Sequence, residues 1–226
     1  MKHLKPFRFP RRKPTQRILL SIYRALYRHY GHRNWWPGET HFEVIVGAIL
    51  TQNTAWKNVE KAISNLKNSR LLTPYALKKV PQSQLAELIL PAGYFNIKAD
   101  RLKRFIRFLW SEYQGSLARL FKVRTRRLRE RLLEVKGIGE ETADSILLYA
   151  AYKRSFVIDG YTRRVFARHR FLRGDEDYAS IQKIFTELLP KSRSLYNDYH
   201  AQIVEVGKDY CRSVPQCDKC PLKRFL

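Results

Sequence analysis

The segment Leu132-Leu133-Glu134-Val135-Lys136-Gly137-Ile138-Gly139-Glu140-Glu141-Thr142-Ala143-Asp144 reads as a helix, a tight turn holding two glycines, and a second helix that starts directly after them. Glycine at such a turn lets backbone N–H groups approach a ligand with no side chain in the way, and the opening turn of the second helix adds its positive dipole end. The hairpin is suited to gripping a phosphate; an ordinary helix–helix turn with a solvated charged face is the competing reading. Further along, the apolar Phe156-Val157-Ile158 delivers Asp159 to a loop just ahead of Gly160-Tyr161-Thr162-Arg163-Arg164-Val165. Asp159 alone could be no more than the N-cap of that helix. Paired with a phosphate-gripping hairpin, it would face the sugar of a nucleotide, where positive charge develops if the base is cleaved off.

Two further groups stand out. Asn34-Trp35-Trp36-Pro37, with Trp56 and the polar Gln52-Asn53-Thr54, could form a stacking wall for a flat base or belong to a core. Adjacent tryptophans point in different directions on any regular element, so one core does not easily take both; stacking on such rings is worth about 1–3 kcal/mol per base. Cys211, Cys217 and Cys220 are all the cysteines in the chain, and Pro221-Leu222 follows them. A disulfide framework would leave one thiol over, whereas clustered thiolates suit a metal or an iron–sulfur cluster; inert surface thiols are the bland alternative.

The elements that must position these residues are helical. Ile18, Ile22, Leu26 and Tyr30 recur at fourfold spacing and stop at Gly31. The apolar Phe42 to Leu50 runs through the polar junction at Gln52 into Val59, Ile63 and Leu66 as two helices. Periodic stretches cover Gln84 to Leu90, Ile97 to Tyr113, Thr125 to Val135, Glu140 to Tyr152, Tyr161 to Arg168, Ser180 to Leu188 and Ser194 to Lys208, with turn residues between them. Strand-like alternation is confined to Ser155 to Ile158. The expected fold is all-α, of about ten helices, preceded by a basic, proline-bearing arm over residues 1–17.

Composition bounds the partners. In 226 residues, 44 Lys+Arg against 20 Asp+Glu leave a formal net charge of +24, and 44% hydrophobic residues suffice for a packed core. No apolar run is long enough to span a membrane, and the short Ile18-Leu19-Leu20 behind the basic start does not make a signal peptide, so an intracellular location, cytoplasm or nucleoid, is expected. A charge this large points to a polyanion, with nucleic acid ahead of a membrane surface. Arg124, Arg126, Arg127, Arg129 and Arg131 ahead of the hairpin, the N-terminal arm, and the tail from Cys211 to Arg224 are where phosphates are expected to lie.

Gly137-Ile138-Gly139 with Thr142-Ala143, then Val157-Ile158-Asp159 and Arg164, resembles the helix-hairpin-helix (HhH-GPD) DNA glycosylases of the endonuclease III type. The cysteine tail and Gly47-Ala48-Ile49-Leu50-Thr51-Gln52-Asn53-Thr54 fit the same pattern, so the resemblance runs from about Ile18 to the end. Trp35-Trp36-Pro37, Thr51-Gln52-Asn53-Thr54, Pro91-Ala92-Gly93-Tyr94-Phe95-Asn96 and the Gly139-Glu140-Glu141-Thr142-Ala143-Asp144 form of the hairpin look most like the branch of bacterial 3-methyladenine DNA glycosylases.

The resemblance implies two helical lobes with a DNA-binding cleft. One is a central barrel over 38–152, with the helix-hairpin-helix at 126–151; the other is made of 18–37 plus 153–226. It implies a monomer acting on double-stranded DNA whose damaged nucleotide is flipped out. Asp159 falls on the family's catalytic aspartate, which supports an oxocarbenium-like sugar and orients water. The implied DNA-binding set is Gln52, Gly137, Ile138, Gly139, Glu141 and Thr142, with hairpin carbonyls that in relatives hold a monovalent cation. Trp35, Trp36, Pro37 and Trp56 fall where alkyl-purine relatives wall the base pocket, and Lys208 falls near it.

Two departures sharpen the expectation. Bifunctional members carry a lysine two residues after the second hairpin glycine, which forms a Schiff base; here that position is Glu141, and Lys136 is not placed to substitute, so strand cleavage is expected to be absent or weak. Relatives with a [4Fe–4S] cluster end in Cys-x2-Cys-Pro-Leu-x3-Cys, and the fourth ligand falls on Leu226. Cys211, Cys217 and Cys220 would hold a cluster with an outside ligand, or the tail has lost it. The expected activity is monofunctional removal of alkylated purines in base excision repair. The alternatives are an endonuclease III-like enzyme for oxidised or mismatched bases and a non-catalytic DNA-binding protein that keeps only the hairpin.

Overall fold

The structure, a computed structural model, describes residues 12–226. Most of the expected basic arm lies outside the described residues. The chain is all-α, with twelve α-helices among the described residues: α1 (Gln16–Tyr30), α2 (His41–Leu50), α3 (Trp56–Asn68), α4 (Pro74–Lys79), α5 (Gln82–Leu88), α6 (Phe95–Tyr113), α7 (Leu117–Lys122), α8 (Thr125–Leu133), α9 (Glu140–Ser145), α10 (Gly160–Arg168), α11 (Tyr178–Leu188) and α12 (Arg193–Asp209). Side chains at the helix starts explain several boundaries. Thr15, Thr40, Thr73, Ser116, Asp159, Asp177 and Ser192 each accept a hydrogen bond from the first turn that follows. Gly31, at φ +67°, ends α1.

The chain divides into two compact units. One takes the described residues up to Trp35 together with Arg154–Leu226; the other is Trp36–Lys153. In the first, α12 packs against α1 and α10. Leu19, Ile22 and Leu26 of α1 are buried. Phe156 stacks on Phe185 at 4.3 Å and 10°, and the Tyr199 hydroxyl donates to the Leu19 carbonyl at 2.8 Å. In the second unit α2 is buried from Phe42 to Leu50, apolar along that stretch except for Glu43, which pairs with Lys67 at 2.9 Å, and it packs against α3, α6 and α9.

Three expectations are corrected. The helix expected over Glu140 to Tyr152 is α-helical only to Ser145; Ile146–Ala150 is a π-turn, closed by the Ala151 N–H on the Ile146 carbonyl at 2.9 Å. The strand-like Ser155 to Ile158 forms no strand. It is a buried extended segment whose backbone is satisfied by α11: Gln182 Nε2 donates to the Phe156 carbonyl at 2.8 Å, and the Ile158 N–H donates to the Tyr178 hydroxyl at 3.2 Å. The short helices α4 and α7 were not expected, being too brief to show a period.

Candidate active site

Asp159 sits where the buried Phe156-Val157-Ile158 run meets α10. One carboxylate oxygen, Oδ1, caps α10 by accepting from the Thr162 N–H at 2.7 Å, so the plain N-cap reading holds for half of the group. The other oxygen, Oδ2, lies 3.5 Å from Nε2 of His200 on α12. Both side chains are buried. Burial pushes the carboxyl upward, but the facing imidazole and the Thr162 hydrogen bonds outweigh it and hold Asp159 below the ordinary carboxylate value.

The close approach of α10 to α12 depends on Gly207, where a Cβ would lie 2.4 Å from Tyr161 Cδ1. Arg164 ties the same helices together, donating to the Gly207 carbonyl at 3.0 Å and to the Cys211 carbonyl. His200 was missed in the sequence because it sits inside an apolar stretch, Tyr199-His200-Ala201, that reads as core.

In the other unit the hairpin joins α8 to α9. Gly137 takes φ +101°, and a Cβ there would lie 2.5 Å from Arg101 Cγ, so both the backbone and the space call for glycine. Gly139 is different: its backbone is extended, it is exposed, and a Cβ would meet nothing within 4 Å. It opens α9 onto unobstructed space, with Glu141 exposed in the first turn and Ile138 and Thr142 buried beneath.

The hairpin is braced from two sides. Gln52, at the junction after α2, donates through Nε2 to the Gly137 carbonyl at 3.0 Å and to Thr142 Oγ1 at 2.8 Å, while its Oε1 accepts from Arg101 of α6. The amide expected to reach into DNA is here folded onto the hairpin. Arg129 of α8 donates to both oxygens of the fully buried Asp144, at 2.9 and 3.0 Å. The sequence reading missed Arg101, whose only signal is its place on the α6 face that packs inward. The Gly137 carbonyl accepts from Gln52 and the Gly139 carbonyl from the Ala143 N–H at 2.9 Å.

The arginines of α8 make ion pairs within the unit. Arg126 and Arg127 pair with Glu130, Arg129 with Asp144 and Glu140, and Arg131 with Glu112 and Glu134.

The expected base-pocket residues fall into two groups. Trp36 packs edge-on against Trp56 at 5.2 Å and 87°, and against Tyr149 of the π-turn at 5.2 Å. Gly47 of α2 leaves room for both indoles, since a Cβ there would lie 3.3 Å from Trp36 Nε1 and 3.4 Å from Trp56 Cη2. All three rings belong to the unit Trp36–Lys153, where Pro37 is exposed. Trp35 belongs to the other unit, with Lys208 Nζ 5.2 Å above its ring.

Cys211, Cys217 and Cys220 carry free thiols and line one small cavity of about 20 Å³ with Leu222 and Leu226. Cys211 Sγ accepts from Arg168 at 3.3 Å, and burial pushes the Cys220 thiol up. Among the described residues no group of three or more His, Cys, Asp or Glu is arranged to hold a metal. Three thiols with Leu226 in the place of the fourth ligand do not supply the four thiolates of a [4Fe–4S] cluster. No helix among the described residues is long and apolar enough to cross a membrane.

The sequence pattern of the HhH-GPD superfamily of base excision DNA repair proteins matches residues 46–191, which hold both the hairpin and Asp159. The chain belongs to the HhH-GPD superfamily. A Methanocaldococcus jannaschii protein, named provisionally as DNA repair glycosylase MJ1434, is 49% identical over 210 residues, covering 92% of this chain and 95% of its own. Endonuclease III of Sulfolobus acidocaldarius is 32% identical over 186 residues, covering 81% and 80%. Among solved structures, the H. pylori 3-methyladenine DNA glycosylase MagIII bound to 1,N6-ethenoadenine superposes with a TM-score of 0.72 at 31% identity, covering 85% of this chain and 95% of that one. This HhH-GPD protein is thus a DNA glycosylase of base excision repair. The superfamily match stops short of His200, Lys208 and the cysteines, and starts after the Trp35-Trp36-Pro37 run.

Proposed function

We propose that this glycosylase is monofunctional and releases alkylated purines of the 3-methyladenine type from double-stranded DNA, with Asp159 as its catalytic carboxylate. The observation that carries the reading is the buried, ionised Asp159, held below its ordinary protonation range by His200 and Thr162. The likeness to MagIII supports the substrate class.

In this mechanism the bond between the sugar C1′ and the base nitrogen breaks, and its electron pair leaves with the base. The positive charge left on the sugar is stabilised by the Asp159 carboxylate. A water adds its oxygen to C1′ and releases one proton to the solvent, leaving an abasic site. A purine methylated at N3 or N7 is cationic and departs neutral, so no strong general acid is needed. The half-buried indoles of Trp36 and Trp56 supply ring faces for a flat base, and electron-rich indoles favour a cationic purine.

The hairpin supplies the DNA-binding part. The exposed Gly139 and the first-turn N–H groups of α9 receive a backbone phosphate, which positions DNA without reading sequence. Glu141 stands where lyase members carry their nucleophilic lysine, and a carboxylate forms no imine. The second reading, removal of oxidised or mismatched bases, draws on the likeness to endonuclease III. A panel of duplexes, each carrying one alkylated, oxidised or mismatched base and scored for free-base release, separates the two: release confined to oxidised or mismatched bases would replace the first reading with the second.

A further inference from the structure

Helix α1 carries a stripe of positive charge that the hairpin chemistry does not use. Arg17, Arg24 and Arg28 are spaced seven and four residues apart, which places them on one face over a length of about 16 Å. The helix contains no acidic residue, and among the described residues none of the three makes an ion pair. The arginines of α8 are tied to carboxylates; these are not.

Beside the stripe runs a groove of about 540 Å³ between α1 and the first turn of α12. Tyr27, 44% exposed, lies between Arg24 and Arg28 in sequence, 5.8 Å from the ring of Tyr23. Tyr23 is fixed, its hydroxyl donating to Asp198 at 2.9 Å and its ring packed 5.2 Å from Tyr199. Asp198, the one acid lining the groove, is buried and tied up: it also accepts from the Arg33 N–H at 2.9 Å and faces His32 Nδ1 at 2.9 Å. The groove therefore presents two unpaired guanidinium groups, a ring face held on a fixed neighbour, and the positive end of a long helix.

We propose that this groove binds a single-stranded stretch of nucleic acid, its phosphates along Arg17, Arg24 and Arg28 and a base stacked on Tyr27. The pairing of a basic track with an aromatic platform is what sequence-tolerant strand binding needs. The surface lies wholly within the unit that holds Asp159, but the proposal is independent of the lesion reading, because its probe carries no damage.

The test measures binding of the full chain to fluorescent (dT)12 over a series of salt concentrations. The double variant Arg24→Glu/Arg28→Glu should weaken binding at least about ten-fold, and should flatten the log–log salt slope by roughly 1.4, the value for two phosphates on a single strand. Tyr27→Ala should weaken binding about ten-fold with the slope unchanged. Melting temperatures should match the wild type, since these side chains are exposed; Arg24→Gln/Arg28→Gln serves if charge reversal disturbs folding. Unchanged affinity and slope overturn the proposal. So does a slope change with no effect of Tyr27→Ala, which would mean a merely basic surface, and so does displacement of the strand by an equal concentration of inorganic phosphate.

Discussion

His200 Nε2 lies 3.5 Å from Asp159 Oδ2, both side chains buried, while the other oxygen of Asp159 caps α10. The two contacts divide the carboxylate: Oδ1 is anchored to the fold, and Oδ2 faces an imidazole that favours its charge. On the proposed reading, His200 acts through Asp159 as a positioning residue. The folded-state carboxyl sits below its ordinary value of 3.8, so its stabilising contacts are complete above that pH and are lost as the pH falls through the lowered value. In His200→Ala, burial is left as the leading influence and the carboxyl rises. The acid limb of the single-turnover pH–rate profile should then move to higher pH, with DNA affinity at neutral pH little changed. An acid limb that stays in place would show that His200 does not set the charge of Asp159.

The two hairpin glycines should separate stability from binding. Gly137→Ala introduces a Cβ against Arg101 and strains a backbone at φ +101°, and should cost about 1–3 kcal/mol of stability. Gly139→Ala meets nothing in the fold and should leave the melting temperature within a degree or so, while weakening duplex binding because the new methyl stands where a phosphate approaches. Thermal melts and duplex titrations of both variants check this; equal binding losses without a stability difference would contradict it.

Much of the helical architecture was legible in the sequence, because amphipathic period and caps act locally: Ile22 and Leu26 lie on the buried face of α1, with Ile18 at its edge, and Gly31 marks its end. What was illegible depends on partners distant in the chain. His200 reads as core until α10 brings Asp159 beside it, and Arg101 reads as a surface charge until Gly137 and Gln52 are folded against it. The same limit explains the arginines of α8: their number is a property of the sequence, but that Asp144 and Glu112 neutralise two of them is a property of the fold.

Lys98 is 1% exposed and donates to the carbonyls of Leu50 and Ala92, both at 2.8 Å, and to Thr54. Burial, with Arg101 adding repulsion, lowers its pKa to about 8. Below that pH both folded and unfolded chains hold the proton and the burial penalty is fully present. Between about 8 and the ordinary 10.5 only the unfolded chain holds it, so this residue's contribution to stability improves with pH, by at most about 1.4 kcal/mol per unit. Denaturant unfolding of wild type and Lys98→Met at pH 7, 8.5 and 10 measures the term: the wild type should gain on the variant as pH rises. A difference that is flat with pH would refute it.

Glu141 is exposed at the start of α9, where lysine would place an amine beside the hairpin. Glu141→Lys should form a borohydride-trappable adduct on abasic duplex that the wild type does not form. Trapping by the wild type itself would mean that another amine serves and that the enzyme is bifunctional.

In the proposed reaction Asp159 directs water to the sugar of an alkylated purine nucleotide. It is tested most directly by incubating wild type and Asp159→Asn with a duplex carrying a single 3-methyladenine and following free base and strand scission, with and without alkali. The wild type should release 3-methyladenine and leave a strand that breaks only in alkali, and Asp159→Asn should still bind the duplex but release base at least about a hundred-fold more slowly. No release by the wild type, or release unaffected by Asp159→Asn, would contradict it.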